Sequence, residues 1–281
     1  MRRLPLCRTP SKILIALLLI ASFCPNITAE SIGEPSAKDR QITLTVRILM
    51  TRQHLTKHKL DDEISQRALV TFLKALDPMK LYFLQSDIDE FDAKKNDIDD
   101  MINDGKLEFA FTVFDRLMER MAESVATANR MIDEKHDFTV DEYLSTDWDN
   151  LTYAADRTAL DDRWRKRIKY NLLVLKGDET EGDEARQRLH RRYNSLLKQM
   201  QQTKTDELLE MFLTAVTTSY DPHTTYMSPT TLENFEIQMR LNLDGIGAQL
   251  TLEDGYTNIT KIITGGAADQ QGDLTVKDRI V

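Results

Sequence analysis

Between residues 39 and 240 the apolar positions recur at helical intervals. Ile42, Val46, Leu49 and Met50 fall at i, i+4, i+7 and i+8 and predict one buried stripe. Ile64, Ala68, Phe72, Leu73 and Leu76 predict a second helix. Asp61 or Asp62 serves as its N-cap, and it ends at Asp77-Pro78, because proline disfavours the α conformation in the residue before it. Ser86 reads as the N-cap of one helix through "SDIDEFDAKKNDIDDMI", closed by Gly105. The longest helix carries Leu107, Phe111, Phe114, Met118, Met121, Val125 and Ile132, a Met and Phe stripe that reads as a core seam. "DFTVDEYLSTDWDNLTYAADR" has no period and reads as a connection. Two helices then flank an exposed turn at Gly177 to Gly182. Thr205 or Asp206 caps "ELLEMFLTAVTTSY", which ends at Asp221-Pro222. Ser228 followed by Pro229 starts a last helix through Arg240.

At Leu241 the pattern changes. "LNLDGIGAQLTLEDGYTNITKIIT" alternates apolar and polar residues, with Leu250 and Leu252, then Ile259, Lys261 and Ile263, at period two. Asp254-Gly255 is a favoured hairpin dipeptide between the two strands. "ITGGAADQQGDLTVKDRIV" reads as a strand end, a glycine turn, a short helix and a loop, with Ile280 and Val281 opening a further strand. The expected fold class is therefore α+β. An all-α domain spans 38–240 and an incomplete β-rich module spans 241–281.

The first residues change the picture. Arg2, Arg3, Arg8 and Lys12 precede the apolar run Ile13 to Phe23, too short for a comfortable membrane span, and the pattern is that of a secretory leader. Cleavage after Ala29 makes 1–29 a signal peptide and 30–37 a linker. A retained anchor and a lipid-modified Cys24 are the alternatives. Both cysteines, Cys7 and Cys24, lie in this leader, so the mature chain is expected to have neither disulfides nor thiolate chemistry. Residues 1–29 hold four of the 37 Lys and Arg and none of the 46 Asp and Glu. The remaining 33 cations against 46 anions leave a net charge of −13, which repels nucleic-acid phosphates. The basic run "RWRKRIKY" follows Asp161 and Asp162 at ion-pair spacing and reads as a solvated helix face.

Candidate chemistry is sparse. There is no His-Glu-x-x-His, no phosphate-binding P-loop and no Gly-x-Ser-x-Gly. His54 and His58, four apart on the first helix, lack an obvious third metal ligand and read as exposed histidines. No catalytic residue, metal site or cofactor is expected in this chain. "LDGIGAQL" does suggest a site. Gly245 and Gly247 flank one apolar residue before a strand, an arrangement that can turn successive N–H groups inward around an anion. A peptide could place its carboxylate there and add itself to the strand edge. The same glycines would also suit a hairpin start that binds nothing.

"LDGIGAQL" with "IITGGAADQQGDLTVKDRIV" resembles the first half of the PDZ domain of carboxy-terminal processing peptidases, the tail-specific proteases. Ala267 stands where that family usually has proline, and Lys277 where it usually has the second glycine. "SYDPHTTYMSP", "LDPMKLYFLQSDIDEF" and "LDDRWRKRIKYNLLVLKG" resemble upstream segments of the long members. The resemblance implies an exported serine endopeptidase, periplasmic or membrane-associated, that recognises apolar protein C-termini. Leu243, Gly245, Ile246, Gly247 and Ala248 would line the carboxylate loop, and His223 would have a structural role. The serine nucleophile and lysine base would follow residue 281, making this chain the front of a longer, truncated protease. Expected partners are substrate C-terminal tails and an adaptor or second copy at the helical domain. A membrane enters only through an uncleaved leader. An exported, non-catalytic peptide-binding or adaptor-binding scaffold is the alternative.

Overall fold

The computed structural model describes residues 32–240, 245–253 and 256–280. The fold is α+β, a helical region followed by a small antiparallel sheet. The predicted leader lies outside the described residues, as does Leu243.

Helix α1 (Ala37–Arg52) starts in a reciprocal cap, in which Ser36 Oγ accepts from Asp39 N–H and the Asp39 carboxylate accepts from Ser36 N–H. Helix α2 (Asp62–Leu76) is capped by Asp61 and buries the predicted stripe, with Phe72 against Phe212 edge to face. Helix α5 (Glu108–Asp133) buries the Met and Phe seam and packs against α6 (Arg157–Gly177), α7 (Gly182–Gln201) and α8 (Thr205–Thr218). Helices α2 and α1 close the same core from the other side, also against α8. Burying this many Leu, Phe and Met side chains, each worth roughly 1.5–3 kcal/mol, holds the region together without a disulfide.

The structure corrects two helix starts. The segment from Ser86 is two helices, α3 (Gln85–Asp92) and α4 (Ile98–Asp104), joined by a turn. The intervening "AKKND" offers no large apolar residue to continue a stripe, and its charges pair across the turn, Lys94 with Asp97 and Lys95 with Asp92. Ser86 is not the cap. The helix begins at Gln85, and Asp87 accepts the N–H of Leu84 at 2.9 Å from within the first turn. Likewise α8 begins at Thr205, so neither Thr205 nor Asp206 is the cap residue, and Glu207 lies 3.4 Å from Lys204 N–H. Gly105 does end α4, at φ +67, where a Cβ would stand 2.8 Å from Arg40 Cγ.

The basic run is also more than a solvated face. Lys166 pairs with Asp162 as expected, but Arg165 and Lys169 reach out to Glu142 on the irregular connection. Together they hold its carboxyl down to about 2. Arg163 donates to the carbonyls of Lys80 and Thr152. Residues 134–156 form no helix or named strand, and helix α6 supplies donors to two of their carbonyls, those of Val140 and Thr152.

Asp87 ties α3 to α5. Its side chain is 1% exposed and meets Arg116 at 2.6 Å and Arg120 at 2.8 Å. Burial alone would raise its pKa, but the bonds from Arg120, Leu84 N–H and Arg116 outweigh burial and lower it. Asp87→Ala leaves both guanidiniums without their buried partner and should cost about 3 kcal/mol in urea unfolding. A depressed carboxylate stabilises above its unfolded pKa. The wild-type advantage over Asp87→Ala should therefore be full at neutral pH and shrink only as pH falls below the ordinary aspartate range.

In the C-terminal part, β1 (Ala248–Glu253) pairs antiparallel with β2 (Tyr256–Ile262), which pairs with β3 (Arg279–Ile280). Glu253 faces Tyr256, so the connection is Asp254-Gly255, which lies outside the described residues. A bulge between Gln249 and Leu250 shifts the register. Helix α10 (Ala267–Gln271) follows the glycine turn.

Candidate functional site

Two features surround the passage from helices to sheet. The first is the turn after α8. Asp221 Oδ1 accepts the N–H of His223 at 2.7 Å, and Oδ2 accepts the Thr224 hydroxyl at 2.9 Å. Asp221 Oδ2 also lies 2.7 Å from His54 Nε2, and Thr224 Oγ1 lies 2.9 Å from the same nitrogen. His223 thus contributes its backbone N–H to the turn while the residue itself is exposed. The reading of His54 as exposed on a helix is corrected. Helix α1 ends at Arg52, and the His54 side chain is 8% exposed, packed on the Tyr220 ring. Its partner Thr224 lies 170 residues away, beyond the reach of local spacing. His58 also contacts Tyr220 and pairs with Glu63 at 3.6 Å. Ser228 then caps α9 (Pro229–Arg240) through Thr231 N–H, and Thr231 Oγ1 donates to Glu210.

The second feature is the glycine loop. Gly247 has φ +74, and a Cβ there would sit 2.9 Å from Ala267 N and 3.0 Å from Gly266 Cα. Only glycine lets the loop lie this close to the second glycine turn. The contact is fixed by two bonds at 2.8 Å, Ala268 N–H to Ile246 O and Ile263 N–H to Gly247 O. Both loop carbonyls are consequently used inside the module. The N–H groups of Gly245, Ile246 and Gly247 have no acceptor among the described residues. Ile246 is 51% exposed, and Ala248 begins β1, whose other edge has no partner strand among the described residues. Gly245, Ile246, Gly247 and Ala248 therefore lie together at the mouth of one exposed edge.

The two unusual residues are explained by position. Ala267 is the first residue of α10, where proline is readily accommodated. Lys277 is held at φ +81 by its N–H to Ile259 O, while Asp278 O accepts Ile259 N–H at 2.9 Å. A side chain in this left-handed region costs about 1 kcal/mol relative to glycine.

These geometries lead to two expected outcomes. Lys277→Gly should slow hydrogen exchange at the Ile259 amide about fivefold, the equivalent of about 1 kcal/mol. The Asp221 carboxyl is lowered by the His223 N–H, the Thr224 hydroxyl and His54. Its stabilising contribution is present above the ordinary aspartate range and lost as pH falls through its depressed pKa. Asp221→Ala should speed amide exchange at residues 223–225 at neutral pH, with little difference from wild type in strong acid.

Comparison with known proteins agrees with these segments. Residues 45–230 match the model of the tail specific protease N-terminal domain. The tail-specific protease of Haemophilus influenzae is 30% identical over 260 residues, 92% of this chain and 37% of that protein. The chain thus spans little more than a third of the length of that relative. On the match across residues 45–230, which carries the helical core and the Asp221 turn, the chain belongs to the tail-specific protease family.

Proposed function

We propose that this chain is the substrate-gripping front of an exported serine endopeptidase, and that residues 241–281 are the first half of a PDZ domain. In this reading Leu243, Gly245, Ile246, Gly247 and Ala248 receive the terminal carboxylate and last apolar side chain of a protein substrate. The observation that carries it is the direction of the loop's polar groups. The carbonyls of Ile246 and Gly247 are bonded inward, while three neighbouring N–H groups, without acceptors among the described residues, are left for an anion beside an unpaired strand edge. Ile246 stands at the mouth as an apolar wall.

Hydrolysis would belong to a serine and lysine in the part of the protease that these 281 residues do not include. The lysine would act as base only with its pKa lowered in a dry pocket. The leader in residues 1–29 would deliver the enzyme across the inner membrane.

The test is a peptide pair differing only at the terminus. A chain extended through the whole PDZ and peptidase domains should bind an apolar peptide ending in a free carboxylate at least about tenfold more tightly than its amide, or roughly 1.4 kcal/mol. Gly247→Ala, which pushes a methyl into Ala267 N, should erase that preference. Equal affinity for acid and amide would count against the loop as a carboxylate site.

A further inference from the structure

A cavity of about 300 Å³ opens between α2, α3 and the irregular connection, well apart in sequence from the glycine loop. Its walls include Leu69, Leu73, Ile88, Trp148 and Tyr153, with Val70 on the rim. Leu69 and Leu73 are buried and form an apolar floor, while Val70 is 66% exposed at the opening. The connection is held over this floor from both sides. Lys74 Nζ reaches Asp149 at 2.5 Å, and Lys80 donates to the carbonyls of Asp149 and Leu151 while lying 5.4 Å over the Tyr153 ring.

The rim decides what the cavity can take. Each of its charges already has a partner. Lys74 is spent on Asp149, Lys80 on two carbonyls and the Tyr153 face, Asp92 on Lys95, and Asp77 on three backbone N–H groups. Among the described residues no unsatisfied charge is left there to attract an ion. An apolar, aromatic-walled, partly enclosed cavity of this size suits an uncharged apolar group, with the aromatic rings supplying contact area.

We propose that this cavity is a second grip on substrate, taking one Phe- or Leu-sized side chain from within an extended protein segment. The source of that segment rests on the protease reading above, but the chemistry of the cavity does not depend on the glycine loop.

The probe is a labelled hexapeptide, acetylated at its N-terminus and amidated at its C-terminus, with Phe-Leu at its centre and alanines around it. Lacking a terminal carboxylate, it cannot use the glycine loop as proposed. Titrated by anisotropy against the full 281-residue chain, it should bind saturably, and replacing Phe-Leu by Ser-Asn should abolish binding. Val70→Glu, at an exposed helical position, and Trp148→Ala, on the connection, should each weaken it at least tenfold with unchanged circular dichroism. The chain has two tryptophans, and Trp164 is buried in the core. A peptide-induced shift in tryptophan emission should therefore vanish in Trp148→Phe. Unaltered binding by both Val70→Glu and Trp148→Ala, or no saturable binding, overturns the proposal. If the free acid binds and the amide does not, this cavity fails as a grip while the carboxylate loop stands. Amide binding that is lost in both variants supports the cavity even where acid and amide bind equally.

Discussion

The buried, non-helical segment after α2 depends on one carboxylate, that of Asp77. The chain leaves α2 at Asp77-Pro78 and then runs Leu81, Tyr82, Phe83 and Leu84 through the core as non-helical backbone. Buried N–H groups outside a helix or sheet need acceptors, or each costs about 1–3 kcal/mol. Asp77 supplies them, with Oδ1 accepting from Leu81 and Oδ2 from Tyr82 and Phe83, all within 3.0 Å. Burial pushes the Asp77 carboxyl above its usual range, against those bonds and the charge of Arg163. The same segment then positions its neighbours. Trp164 Nε1 donates to Leu81 O, Arg163 to Lys80 O, and Leu84 bridges Ala154. Just past this bridge, Asp87 gathers Arg116 and Arg120 and fixes α3 on α5.

Asp221-Pro222 repeats the device at the other end of the domain, with a different result. There the carboxylate is more exposed, and its partners are a backbone N–H, a hydroxyl and a histidine two residues past the end of α1. In both places an Asp-Pro pair follows a helix, directly after Leu76 and three residues after Thr218, and the aspartate organises the segment beyond. Seven residues after Asp221, Ser228 caps α9. The family match across residues 45–230 covers both aspartates, so the part of the chain that defines the family is also the part these two carboxylates hold in shape.

Much of this was legible in the sequence, and the parts that were not share one cause. The stripes of α2 and α5, the Asp61 and Ser228 caps, the Gly105 stop and the strand alternation depend on neighbours within a few residues, which spacing reveals. The break between α3 and α4 came from the loss of apolar residues across "AKKND", a local signal that the charged period concealed. Asp87, His54, Arg163 and Arg165 took roles set by partners on other elements, far along the chain, and each looked like an ordinary helix residue or surface charge. The glycine loop was readable because Gly247 is required by a close backbone approach, and such a requirement leaves its mark on residue type. The cavity under Trp148 left none, since Leu69, Val70 and Leu73 read only as part of an α2 stripe.

The two candidate grips differ in what they ask of a substrate. In the proposed reading, three N–H groups beside a strand edge would select for a chain terminus, a feature every protein carries. An apolar cavity with a neutral rim selects for an exposed internal side chain, a feature that folded proteins conceal and unfolded segments present. Either grip alone would be indiscriminate or weak. Linking them makes the second contact intramolecular, so its effective concentration depends on the chain length between terminus and side chain. A protease combining both would favour proteins whose C-terminal region is already unfolded, and the selection would reside in the spacing of the two sites more than in the affinity of either.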